Sequence, residues 1–309
     1  MRLLIVGAGA SYAEGLTAGL PEELCLPLIT NFARRLWSDY NPAQLLAAYL
    51  RQEGYEPTPD PRDLFFRLEE KAKINIERFF EFAYVNQGSY PGTYENLLYH
   101  GILNPMVFLL LQGLWKGGNI MERPMPCAQS VASRLRAGDA VVNLNYDTIF
   151  EIGAAQVGHQ LVFLPNAANS QKLTICKPHG SFNLVINETE ERFCFGQLNW
   201  PGTPQPSDGS KNYVGFIPPR LNKSYRQHWV SSMILEPARV FAPQNLTFWG
   251  VGLTESDTDL LELYKKWAST ARRIEFINPS MEAANHARGL LGKEIEHYLE
   301  ISDWKVNAT

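Results

Sequence analysis

The sequence has few charged residues and no basic tract, and this shortage excludes two classes of protein. Charged residues make up 19% of the 309-residue chain, with 28 lysines and arginines against 32 aspartates and glutamates, a net charge of −4. A mildly acidic chain of this kind is not a general nucleic-acid binder. Its hydrophobic share of 45% is that of a folded protein and not of a disordered polyelectrolyte.

Cysteine is also scarce. The four cysteines are Cys25, Cys127, Cys176 and Cys194. They include no C-x-x-C pair, so the sequence predicts neither a disulfide framework nor a structural zinc site. Reduced, buried cysteines are typical of cytoplasmic proteins. We therefore expect a cytoplasmic protein without a metal.

Long apolar runs are absent as well. Residues 3–6 are apolar but too few for the core of a signal peptide before Gly7 interrupts them. Residues 105–115 form the other candidate, and they fall far short of the roughly 20 apolar residues of a membrane span. We expect a soluble protein with no membrane association.

Five short apolar runs are continuous rather than alternating, which is typical of strands buried on both faces of a parallel sheet. They cover residues 2–6, 140–144, 173–176, 246–251 and 273–277. Each run is followed by polar or glycine-containing sequence. This pattern predicts an α/β fold with a Rossmann-like, doubly wound parallel sheet, whose ligand lies beyond the carboxyl ends of the strands.

The segment between the first two runs has apolar residues three and four apart, the spacing of helices. Asp60 and Pro61 predict a helix start, with Asp as the cap and Pro in the first turn. We interpret residues 22–135 as a helical insertion or subdomain within a single domain of residues 1–309. The predicted helices cover residues 22–36, 42–52, 62–86, 94–115, 257–269 and 281–299.

Residues 196–219 form the main stretch that we predict to be irregular, with five prolines and four glycines. A loop of this length in a compact domain is usually functional or mobile. A lid over the ligand and a plain surface excursion are both consistent with the composition.

The turn Gly7-Ala8-Gly9-Ala10-Ser11 follows the first predicted strand. Small residues there let backbone N–H groups approach a pyrophosphate at a helix N-terminus, and Ser11 could donate one more hydrogen bond. The third glycine of the dehydrogenase fingerprint would fall at Tyr12, and no strand ending in an acid follows about 20 residues later. A hydride-transferring dehydrogenase is thus disfavoured. A purely structural strand–helix turn is the alternative.

Two polar groups follow later predicted strands. These are Asn145-Tyr146-Asp147 and His179-Gly180-Ser181. Because the carboxyl ends of parallel strands lie at one edge of a sheet, both groups should face the same crevice as the glycine turn. The glycine beside His179 admits a close ligand. The other five histidines lack such a setting.

Five motifs together resemble a known family. They are GAGAS (7–11), NYD (145–147), KPHGS (177–181), WGVGLTESD (249–257) and IN-P (277–279). They occur in the order seen in sirtuins and look most like the sirtuin-like branch of bacterial antiphage defence proteins. The segment FIPPRLNKSY (216–225) also resembles that branch.

The resemblance implies roles for the residues at the adenine-diphosphate end of NAD. Gly7, Ala8, Gly9 and Ser11 match the turn that contacts the diphosphate. Asn278 matches an Asn near the adenosine ribose.

It also implies roles at the nicotinamide end. Asn145 matches the Asn that faces the nicotinamide ribose, and Asp147 matches the Asp that orients the carboxamide pocket. His179 matches the catalytic His. Gly250 and Gly252 fall where the family's second glycine turn approaches the phosphates or ribose.

The chain departs from protein-deacylating sirtuins in two respects. It lacks the two cysteine pairs of their zinc domain, and their arginine-bearing segment after the glycine turn is absent as such, with Gly19-Leu20-Pro21 only loosely in its place. Our leading hypothesis is therefore an NAD+ glycohydrolase that releases nicotinamide and ADP-ribose and acts in antiviral defence by depleting NAD. The alternatives are a non-catalytic NAD or ADP-ribose sensor, and a deacylase or ADP-ribosyltransferase.

An enzyme that depletes NAD must be silent in a healthy cell. With a strand predicted from residue 2 and a helix predicted to end near residue 300, we expect no separate sensor domain and therefore control by assembly. By resemblance, we expect a homo-oligomer and a HerA-type ATPase partner, with residues 22–135 as the contact surface. The alternative is that these helices bury only their own core.

Overall fold

The computed structural model describes residues 1–37, 40–71, 73–116, 120–166, 170–187, 189–198, 212–217, 229–254 and 257–305. The strands in these residues are β1 (Arg2–Val6), β2 (Ala140–Asn143), β3 (Leu161–Phe163), β4 (Leu173–Cys176), β5 (Gly180–Asn187), β6 (Arg192–Phe195), β7 (Asn212–Phe216), β8 (Asn245–Trp249), β9 (Arg273–Ile277) and β10 (Glu296–Tyr298).

Seven of the strands form one parallel sheet in the order β10-β9-β8-β1-β2-β4-β3. From β1 the chain builds β2, β3 and β4 on one side, and then β8, β9 and β10 on the other. The strand order therefore reverses between β1 and β8, the place where doubly wound sheets bind ligands. The prediction of a doubly wound α/β fold is confirmed.

The α-helices surround this sheet. They are α1 (Ala8–Thr17), α2 (Phe32–Leu36), α3 (Ala43–Gln52), α4 (Pro61–Glu70), α5 (Ile76–Val85), α6 (Thr93–Leu98), α7 (Asn104–Gln112), α8 (Pro126–Ala132), α9 (Ile149–Gln156), α10 (Trp229–Leu235), α11 (Thr258–Thr270) and α12 (Met281–Leu291). A π-helical turn, Tyr99–Leu103, joins α6 to α7. Short 3₁₀ turns cover Glu22–Leu24, Ile29–Asn31, Ile120–Glu122, Glu236–Val240 and Ile301–Asp303.

The helical spacing between β1 and β2 predicts the helices there but not all of their ends. Asp60 caps α4 as expected, since its carboxylate accepts the Arg62 N–H at 3.0 Å. The predicted helix over residues 62–86 is two helices, α4 and α5. The second helix begins afresh because the Asn75 side chain accepts the Glu77 N–H at 2.6 Å.

Two further predictions need correction. The helix over residues 281–299 ends at Leu291, because Gly292 adopts a left-handed φ of 61° and closes it. The chain then forms β10 at the sheet edge. Within residues 196–219, β7 is regular structure, and most of the suggested lid lies outside the described residues.

The side chains of β1 divide the core into two halves. Leu4 and Val6 pack into the cluster formed with the helices between β1 and β2. Leu3 and Ile5 point to the other face and pack with α10, α11 and α12. This alternation with complete burial is the reason that the sequence of β1 is apolar without interruption.

A second, antiparallel sheet was not predicted. It has the order β6-β5-β7, and β5 begins at Gly180, directly after His179. Among the described residues no helix is long and apolar enough to cross a bilayer.

Candidate active site

The described residues of the five motifs lie at the carboxyl ends of five adjacent strands. In spatial order these strands are β9, β8, β1, β2 and β4. Residues after β1 and β8 therefore meet at the switch point, and those after β2 and β4 flank it on one side. Because the sheet is parallel, motifs up to about 270 residues apart in the chain share one edge.

Two glycine turns contact each other at the switch point. The Gly9 N–H donates to the Gly250 carbonyl at 2.9 Å. A Cβ on Gly7 would lie 2.6 Å from that carbonyl oxygen, and a Cβ on Gly250 would lie 2.2 Å from the Ala10 nitrogen. Gly250 also has a φ of 62°. The close packing of the turns after β1 and β8 thus requires glycine on both sides.

This packing determines which amides can face a ligand. The N–H groups of Gly7, Gly9 and Ala10 donate to Trp249, Gly250 and Gly7 respectively. The exposed Ala8 has no backbone acceptor for its N–H among the described residues. No acidic residue occupies the first turn of α1. The N-terminus of α1 is therefore suited to an anion, with the Ala8 amide as its donor.

Asn145 is joined to the glycine turn by its side-chain amide. Its Nδ2 donates to the Gly7 carbonyl at 3.0 Å and to Ser11 Oγ at 2.8 Å. A carbonyl only accepts, so the nitrogen and oxygen of this amide are assigned by the contact. Both amide hydrogens are used, and Oδ1 is the atom with which Asn145 could accept a hydrogen bond from a ligand.

Ser11 and Asp147 complete this chain of hydrogen bonds. The Ser11 hydroxyl donates to Asp147 Oδ2 at 2.8 Å, and Asp147 Oδ1 accepts the Ile149 N–H at 3.0 Å. The hydroxyl proton of Ser11 is thereby engaged within the protein rather than directed at a phosphate. Asp147 is 2% exposed, so in this structure it orients Ser11 and Asn145.

Burial raises the pKa of Asp147, and the nearby Lys177 ammonium opposes that shift. Glu14, a fully buried residue of α1, also has a raised pKa because of burial, and the Asp147 charge adds to the effect. Its carboxylate accepts the Cys127 and Ala128 N–H groups at 3.2 and 2.8 Å and so caps α8. The floor of the site is therefore shielded from water, and its charged groups are held by specific hydrogen bonds.

His179 is placed by the main chain on the other side of Asn145. Its Nδ1 contacts the Leu144 carbonyl at 2.9 Å. Since that oxygen only accepts, Nδ1 carries the proton, and in the neutral ring Nε2 carries the lone pair. The structure thus brings His179 and Asn145, which are 34 residues apart, to neighbouring positions at one sheet edge.

Tyr146 connects this edge to the second sheet. Its carbonyl accepts the Phe182 N–H at 2.9 Å, and its hydroxyl donates to the Ile217 carbonyl. The Ile217 N–H in turn donates to the His179 carbonyl at 2.7 Å. The second sheet therefore holds the main chain of Tyr146 and His179 together.

Gly252 and Asn278 lie farther along the edge. A Cβ on Gly252 would meet no atom of the described residues within 4 Å, and the residue is exposed. Asn278 Nδ2 donates to the Val251 carbonyl at 3.2 Å. Asn278 therefore fixes the turn after β8, and Gly252 leaves open space beside it.

A buried polar cluster that the motifs do not predict lies below the loop of Asn145. Its members are Lys177, Glu151 and Asn143. Lys177 belongs to the motif KPHGS, but the motif assigns it no role, and Asn143 and Glu151 lie outside all five motifs. The signal that could have found them is a charged side chain between the apolar strand β4 and a Pro-His-Gly turn.

No group of three or more His, Cys, Asp or Glu side chains that could hold a metal occurs in the described ranges.

No protein-family model matches the sequence, and a comparison with curated proteins finds no match. Among solved structures, the chain is similar to a Sir2 homologue in complex with NAD, at 14% identity, 94% coverage of this chain, 88% of that chain and a TM-score of 0.38. A Sir2 homologue variant in complex with 2′-O-acetyl ADP-ribose is 15% identical, with 95% of this chain and 94% of that chain covered and a TM-score of 0.41. A further variant in complex with ADP-ribose is 14% identical, with coverages of 94% and 90% and a TM-score of 0.40.

Proposed function

We propose that the chain cleaves the N-glycosidic bond of NAD+ with water and releases nicotinamide and ADP-ribose. The observation that carries the proposal is the placement of Asn145 and His179 at adjoining strand ends, beside a glycine turn whose exposed amide is suited to a diphosphate. The order of the five motifs, which resembles that of sirtuins, supports the same substrate.

In the proposed reaction the bond between the ribose C1′ and the nicotinamide nitrogen breaks. Its electron pair moves to the ring nitrogen, which loses its positive charge and leaves as nicotinamide. The ribose carbon gains oxocarbenium character, a water oxygen adds to it, and one proton of that water is released. The reaction therefore needs a group that binds the diphosphate, a group that orients the ribose or the water, and a group that accepts the released proton.

The residues of the site match these needs. The N-terminus of α1, with the Ala8 amide, would hold the diphosphate. Asn145 Oδ1 would accept from a ribose hydroxyl or from the attacking water. The lone pair of His179 Nε2 would accept a proton, since imidazole is the side chain whose charge changes most readily near neutral pH.

Four assignments from the motif resemblance take a modified form in this proposal, those of Ser11, Asp147, Gly250 and Asn278. Ser11 and Asp147 act by holding Asn145 rather than by touching the phosphate or the carboxamide. The Ser11 hydroxyl accepts from Asn145 and donates to Asp147, and Asp147 also accepts the Ile149 N–H. Gly250 supports the glycine turn by contact, and Gly252 leaves room for the ribose. Asn278 fixes the turn between them.

We further propose that this activity serves antiviral defence by depleting NAD in the cytoplasm, and that assembly controls it. A homo-oligomer, with a HerA-type ATPase as a partner, follows from the resemblance of the motifs to defence proteins. Light scattering should find an oligomer at micromolar concentration. A monodisperse monomer with full activity would contradict control by self-assembly.

The experiment that tests the proposed reaction is chromatography of nicotinamide released from NAD+ by concentrated protein. Asn145→Ala and His179→Ala should fold and lose release by about 100-fold or more. His159→Ala is the matched control, since its ring also contacts a backbone carbonyl, that of Ala132 at 2.8 Å. Full release by both site variants would show that the site is wrongly assigned.

A further inference from the structure

A completely buried ion pair lies directly beneath the loop of Asn145 and Asp147. Lys177 Nζ is 3.2 Å from Glu151 Oε1, and both side chains are 0% exposed. Burial of two charges costs more than their mutual attraction returns unless further hydrogen bonds satisfy them. The bonds that this pair makes therefore indicate what it holds in place.

The pair has two branches, and each ends on the main chain of a site residue. On one branch, Lys177 Nζ donates to the Asp147 carbonyl at 2.7 Å. On the other, Glu151 Oε1 accepts from Asn143 Nδ2 at 2.8 Å, and Asn143 Oδ1 accepts the Asn145 N–H at 3.0 Å. The ion pair thus fixes the loop at both ends, at Asn145 and at Asp147.

A second buried ion pair in the same sheet shows that burial alone does not imply this role. Arg2 and Glu275 are also buried and paired, and Arg2 Nη1 donates to Thr247 Oγ1 at 2.8 Å. Arg2 lies at the amino end of β1, opposite the site. Among the described residues, this pair contacts Asp139, Thr247, Arg273 and Trp304, none of which belongs to the proposed site.

We propose that Lys177 is a positioning residue, which acts through Glu151 and the Asp147 carbonyl to hold Asn145 in place for NAD+ cleavage. The inference rests on the proposed function. Lys177 touches no substrate and transfers no proton. Its loss would leave the Asp147 carbonyl without a donor and let the loop relax away from His179, and a misplacement of about 1 Å costs roughly 100-fold in rate.

The test compares two double variants with equal loss of buried charge. Lys177→Met with Glu151→Gln removes both charges and keeps an acceptor for Asn143, so the bond of Lys177 to Asp147 is the main loss. Arg2→Met with Glu275→Gln does the same to the opposite pair. Both proteins should melt at a lower temperature than the wild type.

The two variants should differ in the kinetics of nicotinamide release. The Lys177/Glu151 variant should lose about tenfold or more in kcat, with KM for NAD+ within about threefold, because the diphosphate turn is untouched. The Arg2/Glu275 variant should keep its kcat. Wild-type kcat in the first variant, or an equal loss in both, would overturn the positioning role.

A third variant decides the question if the first does not fold. Asn143→Ala removes the second branch without changing a charge. It should also lower kcat and leave KM for NAD+ nearly unchanged. Full kcat in this variant would overturn the inference. No release of nicotinamide by the wild type would instead overturn the proposed function and the positioning role with it, so the two failures are distinguishable.

Discussion

The side-chain amide of Asn145 donates to the carbonyl oxygen of Gly7 at 3.0 Å, across 138 residues of sequence. This contact joins the loop after β2 to the glycine turn after β1. It also fixes which atom of the amide faces away from the turn. Asn145 can therefore act toward a ligand as an acceptor, through Oδ1.

Asn145→Asp should be more damaging than its small change in shape suggests. A carboxylate oxygen would replace the donor that faces the Gly7 carbonyl, which leaves two acceptors in contact and costs about 1–3 kcal/mol of unfolding free energy. Nicotinamide release should fall by about 100-fold or more. Asn183→Asp is the control, because that buried amide also donates to a carbonyl, Gly196 at 3.1 Å. It should be destabilised similarly and keep its activity.

Ser11→Ala should reveal whether the serine orients Asn145. The change removes the donor to Asp147 and the acceptor of Asn145, two buried hydrogen bonds worth roughly 1 kcal/mol each. We expect a kcat lowered by about tenfold and an affinity for ADP-ribose that is nearly unchanged. A large loss of ADP-ribose affinity in calorimetry, with normal kcat, would instead place the hydroxyl on the diphosphate.

Gly250→Ala and Gly252→Ala together test whether the first glycine is required by the packing of the two turns while the second is not. At Gly250 the new methyl group would collide with the Ala10 nitrogen and impose a left-handed φ of 62° on alanine. The φ alone costs about 1–2 kcal/mol, and the collision adds to it. At Gly252 no described atom lies within 4 Å of the methyl group, so chemical denaturation should find normal stability. Equal stability of the two variants would contradict the conclusion that the turns after β1 and β8 pack too closely for a side chain at Gly250.

Glu69 should make the stability of the protein depend on pH. Burial raises the pKa of this α4 residue from 4.5 to about 7, so the folded state binds more protons than the unfolded state between those values. The free energy of unfolding should therefore fall as pH rises from about 4.5 to 7. Glu69→Gln should remove about 1–3 kcal/mol of this fall. The exposed Glu70→Gln should reduce the slope only slightly, because the Glu70 charge contributes less than burial does to the raised pKa of Glu69.

The central strands could be predicted from sequence because both of their faces are buried. The runs at residues 2–6, 173–176 and 273–277 coincide with β1, β4 and β9. The strand β3 gave no comparable signal, since its three residues are only partly buried at the sheet edge. The strand β5 does carry the alternating pattern of a half-buried strand, because Phe182, Leu184 and Ile186 alternate with polar or less buried residues. The second sheet could therefore have been predicted in part.

The helix predicted over residues 281–299 shows how one glycine outweighs a periodic pattern. Apolar residues continue at helical spacing past Leu291, but Gly292 ends α12 in the left-handed conformation. A helix-ending glycine can be recognised in a sequence. The short strand after it is decided by pairing with β9, which is a tertiary contact.

The residues of the candidate site were predictable as a group but their contacts were not. Strand ends in a parallel sheet bring Ser11, Asn145 and His179 to one edge, and the motifs name them. That Ser11 donates to Asp147 rather than toward a phosphate depends on distances between segments about 136 residues apart. The Lys177–Glu151 pair likewise depends on how close α9 comes to the residue that follows β4, which no local pattern encodes.

The most direct measurement of the central claim is mass spectrometry of the products formed from NAD+ in water enriched in a heavy oxygen isotope. The account predicts nicotinamide and ADP-ribose in equal amounts, with the heavy oxygen in the ADP-ribose and about 100-fold less product, or still less, from His179→Ala. NAD+ that stays intact with the wild-type protein would contradict the account. So would a cyclic or protein-bound ADP-ribose product without the heavy oxygen, because water would then not be the attacking group.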